Sequence, residues 1–181
     1  MKELRDNLPQ AFSAENAARG MEKWREMQVA GAPEPLLAAI FGNSPYLSHL
    51  LLQYSETVRD LASLGADEAY AKLVAELASP PAGEGMELAR HLRIAKGRLA
   101  LLAALADIGG LWSLERVMAA LSEFAERCLV MAVDTLLTKA HERGEIQLAH
   151  PDAPSRESGV IVLAMGKLGA RELNYSSDID L

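Results

Sequence analysis

Through the first three quarters of the chain, apolar residues recur every three or four positions, broken at short intervals by glycine, proline and serine. This period predicts helices that each bury one stripe. After Ser13, the side chains of Ala17, Met21 and Trp24 share a face, and Gly31 with Pro33 ends the segment. A short helix from Pro33 to Phe41 closes at Gly42. Ser44-Pro45 then places an N-cap hydroxyl before a proline at the first helical position, where its missing N–H costs nothing. Tyr46, Leu47, Leu50, Leu51 and Tyr54 are predicted to face inward. A further helix runs to Gly65, and another from Asp67 to Ser79 is stopped by Pro80-Pro81.

Two longer helices follow. From Met86 to Ile108, the residues Leu88, Leu92, Ala95, Leu99, Leu102 and Ala106 gather on one side. Arg90, Arg93, Lys96 and Arg98 are expected on the solvent side, and Gly109-Gly110 ends the segment. From the N-cap Ser113, the stripe Leu114, Val117, Leu121, Phe124, Cys128, Ala132, Leu136, Ala140 runs to Gly144, with Glu123 and Arg127 paired at i,i+4 on the outside. Burying about eight such side chains, at roughly 1.5 to 3 kcal/mol each, would outweigh the surface charges of this helix.

The pattern then changes. Glu145 to Ser158, with Pro151, Asp152, Pro154 and Ser155, has linker composition, so residues 1–144 are expected to form a helical domain and 145–158 a linker. The run Gly159-Val160-Ile161-Val162-Leu163-Ala164-Met165 is too continuous for a half-exposed strand and predicts a buried one. Residues 159–181 are therefore expected to begin a second domain.

Composition narrows the class. The 181 residues are 50% hydrophobic but only 5% aromatic, which favours packed helices. Eighteen Lys+Arg against 25 Asp+Glu give a formal charge of -7, without the basic footprint of a nucleic-acid binder. No apolar run is long enough for a membrane span, and the charged start Met1-Lys2-Glu3-Leu4-Arg5-Asp6 is unlike a signal peptide, so a cytoplasmic location is expected. The single cysteine, Cys128, excludes an internal disulfide and is read as a small core residue. His49, His91, His141 and His150 lack metal-site spacing.

Candidate chemistry sits after the β run. Asp178 and Asp180 flank the apolar Ile179, so on a strand both carboxylates would project to one face and Ile179 to the core. Such a pair suits Mg²⁺, which takes oxygen ligands and completes its shell with water and substrate phosphates. Gly166 and Gly169 would let backbone approach a phosphate, Lys167 or Arg171 would neutralise it, and Ser176 and Ser177 would add donors. Those parts describe phosphoryl or nucleotidyl transfer. The Gly166-Lys167 pair is no P-loop, since Ile161 stands where its first glycine belongs and Leu168 where a Mg²⁺-binding hydroxyl belongs. The plainer alternatives are a solvated acidic turn for the two aspartates, a surface role for Lys167, and turn capping for Ser176 and Ser177.

The spacing Gly-x11-Asp-x-Asp from Gly166 to Asp180 resembles the signature of the polymerase-beta-like nucleotidyltransferase superfamily. The whole string from Gly166 to Leu181 resembles the glutamine synthetase adenylyltransferase / adenylyl-removing family, and Asn174-Tyr175-Ser176-Ser177 before Asp178 is similar to its N-terminal, adenylyl-removing module. Weaker similarity extends through Leu92-Arg93-Ile94-Ala95-Lys96 and Leu114 to Leu137. Ala170 replaces a frequent glycine, a mild change if its φ is negative.

The resemblance implies a mainly α chain: a multi-helix N-terminal domain followed by the first strands of an α+β nucleotidyltransferase domain. It implies that the complete module removes AMP from a glutamine synthetase tyrosine by phosphorolysis, giving ADP. Asp178 and Asp180 would hold Mg²⁺, and a companion module would adenylylate from ATP under control of a PII signalling protein and glutamine. A third acidic residue on a later strand normally completes the metal site, so the chain is expected to be a piece of a longer enzyme and inactive alone. The rival expectation is a noncatalytic helical domain that binds glutamine synthetase or a signalling protein.

Overall fold

The computed structural model describes residues 4–29, 31, 33–79, 85–175 and 177–181. They form α1 (Ala14–Glu26), α2 (Glu34–Asn43), α3 (Pro45–Gln53), α4 (Ser55–Leu64), α5 (Ala66–Leu77), α6 (Gly85–Ile108), α7 (Leu114–Glu142) and a single turn, α8 (Gly166–Gly169). The mainly helical expectation holds, nearly element by element. Among the described residues there is no named strand. The Pro80-Pro81 stop lies outside them. The chain divides into two compact units, Met1–Val117 and Met118–Leu181, inside α7; residues 145–158, expected as a linker, form turns within the second unit.

Local chemistry explains where the helices start and stop. Ser13 Oγ accepts from Asn16 N–H at 3.2 Å, and Ser44 Oγ caps α3 through Leu47 N–H at 3.2 Å. At the end of α6, Leu111 N–H reaches Ala106 O at 2.7 Å and Gly110 N–H reaches Asp107 O at 2.9 Å. At the end of α7, Glu145 N–H reaches Ala140 O and Gly144 N–H reaches His141 O, both at 2.9 Å. Both ends have the paired bonds that satisfy the last carbonyls of a helix.

In the first unit, α1 lies against α2, while α3, α4 and α5 pack on α6. Ala17, Met21 and Trp24 are buried as predicted, as are Leu50, Leu51 and Tyr54. Tyr46, predicted inward, is instead 60% exposed. It stands in the first turn of α3, one turn before the buried residues begin. The single stripe on α6 is also corrected: Leu101, Leu102, Ala103, Ala104, Leu105 and Ala106 are all buried. A helix segment apolar on every side needs neighbours all round, and α6 is the element on which three others pack.

Arg98, expected at the surface, is turned into the bundle. Its guanidinium pairs with Glu76, lies 3.8 Å from both Asp60 and Glu56, and donates to the buried Thr57 hydroxyl at 3.4 Å. Lys72 Nζ closes the network on Asp60 at 2.7 Å. Three carboxylates on α4 and α5 draw Arg98 inward, while Arg90, Arg93 and Lys96 stay exposed. Near the start of α7, Arg116 lies over the rings of Tyr70 and Trp112, 4.8 and 4.6 Å from their centroids, and pairs with Asp67 at 3.0 Å.

Burial along α7 is less than its apolar stripe predicts. Val117 and Phe124 are buried, but Leu114 is 64% and Leu136 67% exposed, and Leu121, Cys128, Ala132 and Ala140 are partly covered. The Glu123–Arg127 pair forms as expected, at 2.7 Å. In the second unit the chain returns antiparallel along α7. Ser155 bonds Asp134 through its N–H at 3.1 Å and through its hydroxyl, and residues 171 and 173 then meet α7 nearer its start.

Candidate functional site

The predicted buried strand is not one. Val160, Ile161, Val162, Leu163 and Met165 are 44 to 81% exposed, and the segment has no regular secondary structure and no strand pairing until Met165. A continuously apolar strand is buried only when strands flank it and helices cover its faces. Among the described residues the sole pairing is an antiparallel bridge from Met165 to Asp180, with Met165 N–H on Asp180 O at 2.9 Å. Ile179, predicted to point into a core, is 41% exposed for the same reason.

The glycine-containing segment after the run is a helical turn, not an open loop. Gly166 opens α8 at φ +53°, in the left-handed region where only glycine is unstrained. A Cβ at Gly166 would stand 3.0 Å from Asp180 Oδ2, so its absence leaves room for that carboxylate beside the backbone. Gly169 is required differently: a Cβ there would fall 2.4 Å from the Ala164 carbonyl oxygen. Ala170 has φ -80°, which accounts for the mildness of a side chain at that position.

Arg171 carries the unusual conformation. It ends α8 at φ +59°, with Arg171 N–H on Leu168 O at 2.9 Å and Glu172 N–H on Lys167 O at 2.8 Å, the bond pattern that usually places glycine at this point. Its guanidinium lies 3.7 Å from the Glu126 carboxylate of α7. Lys167 is exposed, and no described carboxylate pairs with it. Two leucines anchor the loop: Leu168 is 1% and Leu173 5% exposed. Leu173 N–H donates to Ser122 Oγ on α7 at 3.3 Å. Ser122 is fully buried, and it is a site residue that sequence reasoning missed. The available signal was a lone hydroxyl among Leu121, Phe124 and Ala125.

Ser177 closes the turn before the aspartates. Its hydroxyl donates to Asn174 Oδ1 at 2.9 Å and accepts from Asn174 N–H at 3.2 Å. This is the turn-capping role. Ser176 lies outside the described residues. Asp178 and Asp180 are exposed, with no ion pair to any described residue. Both offer hard oxygen donors of the kind Mg²⁺ takes, but among the described residues no three carboxylate, histidine or cysteine side chains come together to hold a metal ion. The loop thus carries two exposed carboxylates and an exposed ammonium at Lys167 that pairs with no described carboxylate, and the Met165–Asp180 bridge brings Asp180 beside Gly166.

The sequence profile of the glutamate-ammonia ligase adenylyltransferase family matches residues 35–181. Among curated relatives, the chain is 38% identical to the bifunctional glutamine synthetase adenylyltransferase/adenylyl-removing enzyme of Bradyrhizobium diazoefficiens, over 96% of this chain and 19% of that protein. It is 41% identical to the protein so named from Agrobacterium fabrum, over 83% of this chain and 17% of the relative. For Rhodopseudomonas palustris strain CGA009 the figures are 47%, 80% and 15%. The chain therefore spans less than a fifth of the length of these relatives. No solved structure matches it.

Proposed function

Because this chain belongs to the glutamate-ammonia ligase adenylyltransferase family, we propose that residues 159–181 begin the nucleotidyltransferase fold that removes AMP from glutamine synthetase, with residues 1–144 as its helical domain. The observation that carries this reading is the approach of Asp180 to Gly166. It joins the two ends of the Gly-x11-Asp-x-Asp string in space, as a phosphate and metal site requires.

In this reading, inorganic phosphate attacks the adenylyl phosphorus, the bond from phosphorus to the tyrosine oxygen breaks, and the leaving oxygen takes up a proton. The products are ADP and the free hydroxyl of the glutamine synthetase tyrosine. Asp178 and Asp180 would hold Mg²⁺, which when bound supplies counter-charge to phosphate oxygens. Lys167 is exposed, pairs with no described carboxylate, and is assigned to the incoming phosphate or the adenylyl group. Arg171, beside Glu126, is assigned a smaller share of that charge. Ser177 holds the turn that presents Asp178. Adenylylation from ATP and control by a PII signalling protein belong to the same reading of the whole protein, and no residue of 1–181 is assigned to them. Among the described residues, no helix is long and apolar enough to cross a membrane.

The test uses full-length protein with adenylylated glutamine synthetase, Mg²⁺ and labelled phosphate. Label should appear in ADP. Asp178→Asn or Asp180→Asn should abolish that release while leaving adenylylation largely intact, and retained release would refute the role given to these carboxylates.

A further inference from the structure

We infer that Ser122 and Glu126, one turn apart on α7, are positioning residues for the loop that carries Asp178 and Asp180; this rests on the phosphorolysis reading above. A hydroxyl in mid-helix carries a propensity cost relative to alanine, and full burial adds a desolvation cost unless a partner compensates. Ser122 meets both conditions at 0% exposure, and its Oγ accepts from a backbone N–H, that of Leu173, 51 residues away. Four residues on, Glu126 faces Arg171 at 3.7 Å. The two α7 groups therefore hold the loop on either side of Glu172.

This contact bears on the aspartates because Leu173 stands at the root of the turn that leads to them. Leu168 and Leu173 are the buried side chains among the described residues of 159–181, and between them the backbone passes through the left-handed Arg171. After Leu173 the chain turns at Asn174–Ser177 and comes back to Met165 through the bridge at Asp180. A displaced Leu173 moves the root of that turn and, with it, both carboxylates. Misplacement of reacting groups by about 1 Å costs up to about a hundredfold in rate.

The experiment has two arms. In the chain of residues 1–181, amide exchange of Leu173 is compared between the natural protein, Ser122→Ala and Ser122→Thr, with Leu102 and Leu105 in the first unit as controls. Ser122→Ala should speed Leu173 exchange about tenfold or more, Ser122→Thr should restore protection, and the control amides should not change. In the full-length protein, Ser122→Ala should lower kcat for phosphate-dependent AMP release about ten- to a hundredfold, with adenylylation unchanged. Glu126→Gln, at a partly exposed pair, should lower it about two- to fivefold.

Unchanged Leu173 exchange in Ser122→Ala overturns the inference. So does AMP release at the natural rate in Ser122→Ala when Asp178→Asn is inactive. If Asp178→Asn keeps its activity, the phosphorolysis reading fails, while the exchange arm still decides whether Ser122 anchors the loop. Should Ser122→Ala lose protection at Leu102 as well, Glu126→Gln carries the test, and natural rates there in both arms overturn the inference.

Discussion

Asp180 folds back onto Met165: its carbonyl oxygen accepts the Met165 N–H at 2.9 Å, and its carboxylate lies where a Cβ on the adjoining Gly166 would be only 3.0 Å away. One backbone bond and one missing methyl thus set the distance between the two ends of the motif. Gly166→Ala tests this. Alanine at φ +53° costs roughly 1 to 2 kcal/mol, and its methyl pushes the Asp180 carboxylate aside. Amide exchange at Met165 should accelerate, and AMP release by the full-length protein should fall while its adenylylation persists. An unchanged Met165 amide would show that the bridge does not depend on glycine there.

The two long helices differ in how much their apolar residues contribute. Leu102 on α6 is completely buried, whereas Leu136 on α7 is 67% exposed. Leu102→Ala should cost about 2 to 5 kcal/mol through lost burial and the cavity it leaves. Leu136→Ala should stay within about 0.5 kcal/mol. Urea unfolding followed by helical circular dichroism reads both, and equal losses would contradict the burial difference.

That contrast shows what was legible in the sequence. Helix ends were, because Ser13, Ser44, Gly110 and Gly144 act through bonds to residues a few positions away, and the period of three to four marks the helices between them. The degree of burial was not. Leu101 to Ala106 and Leu114 to Ala140 both read as apolar faces, yet only the first is surrounded, and the number of neighbours is a property of the assembled bundle. The same holds for residues 159–165, whose composition states a preference for a sheet interior without supplying the strands beside it. In the candidate site, the spacing of Gly166, Asp178 and Asp180 was readable. Ser122 was not, since its partner is a backbone N–H with no residue signature 51 positions away.

Arg98 offers a third test. Its side chain and that of Asp60 are each 15% exposed, while Glu56 and Glu76 are nearly half exposed. Arg98→Met keeps much of the stem packing but leaves three carboxylates with Lys72 as their remaining cation in this network. Breaking a buried pair costs about 3 to 5 kcal/mol, and discounting for the two exposed partners gives an expected loss of about 1 to 3 kcal/mol. The remaining carboxylates repel one another, and salt screens that repulsion, so the loss should shrink between 0.05 and about 1 M salt. A loss independent of salt would assign the effect to packing.

The surface pair Arg25–Glu34 gives a pH test with a definite sign. Their 2.8 Å contact, a hydrogen bond reinforced by opposite charge, holds the Glu34 carboxyl below its ordinary value of 4.5 and raises the Arg25 guanidinium. A carboxyl depressed in the folded state contributes stability that is complete above 4.5 and fades as pH falls through the lower folded value. Arg25→Gln removes both the charge and the strong donor, so the Glu34 titration followed by NMR should move up toward 4.5. Glu115 supplies an internal control. Its carboxyl is also depressed, first by the Ser113 hydroxyl and then by its own backbone N–H, so Arg25→Gln should leave it in place and Ser113→Ala should raise it. If Arg25→Gln shifts Glu115 but not Glu34, the pairing of Arg25 with Glu34 is wrong.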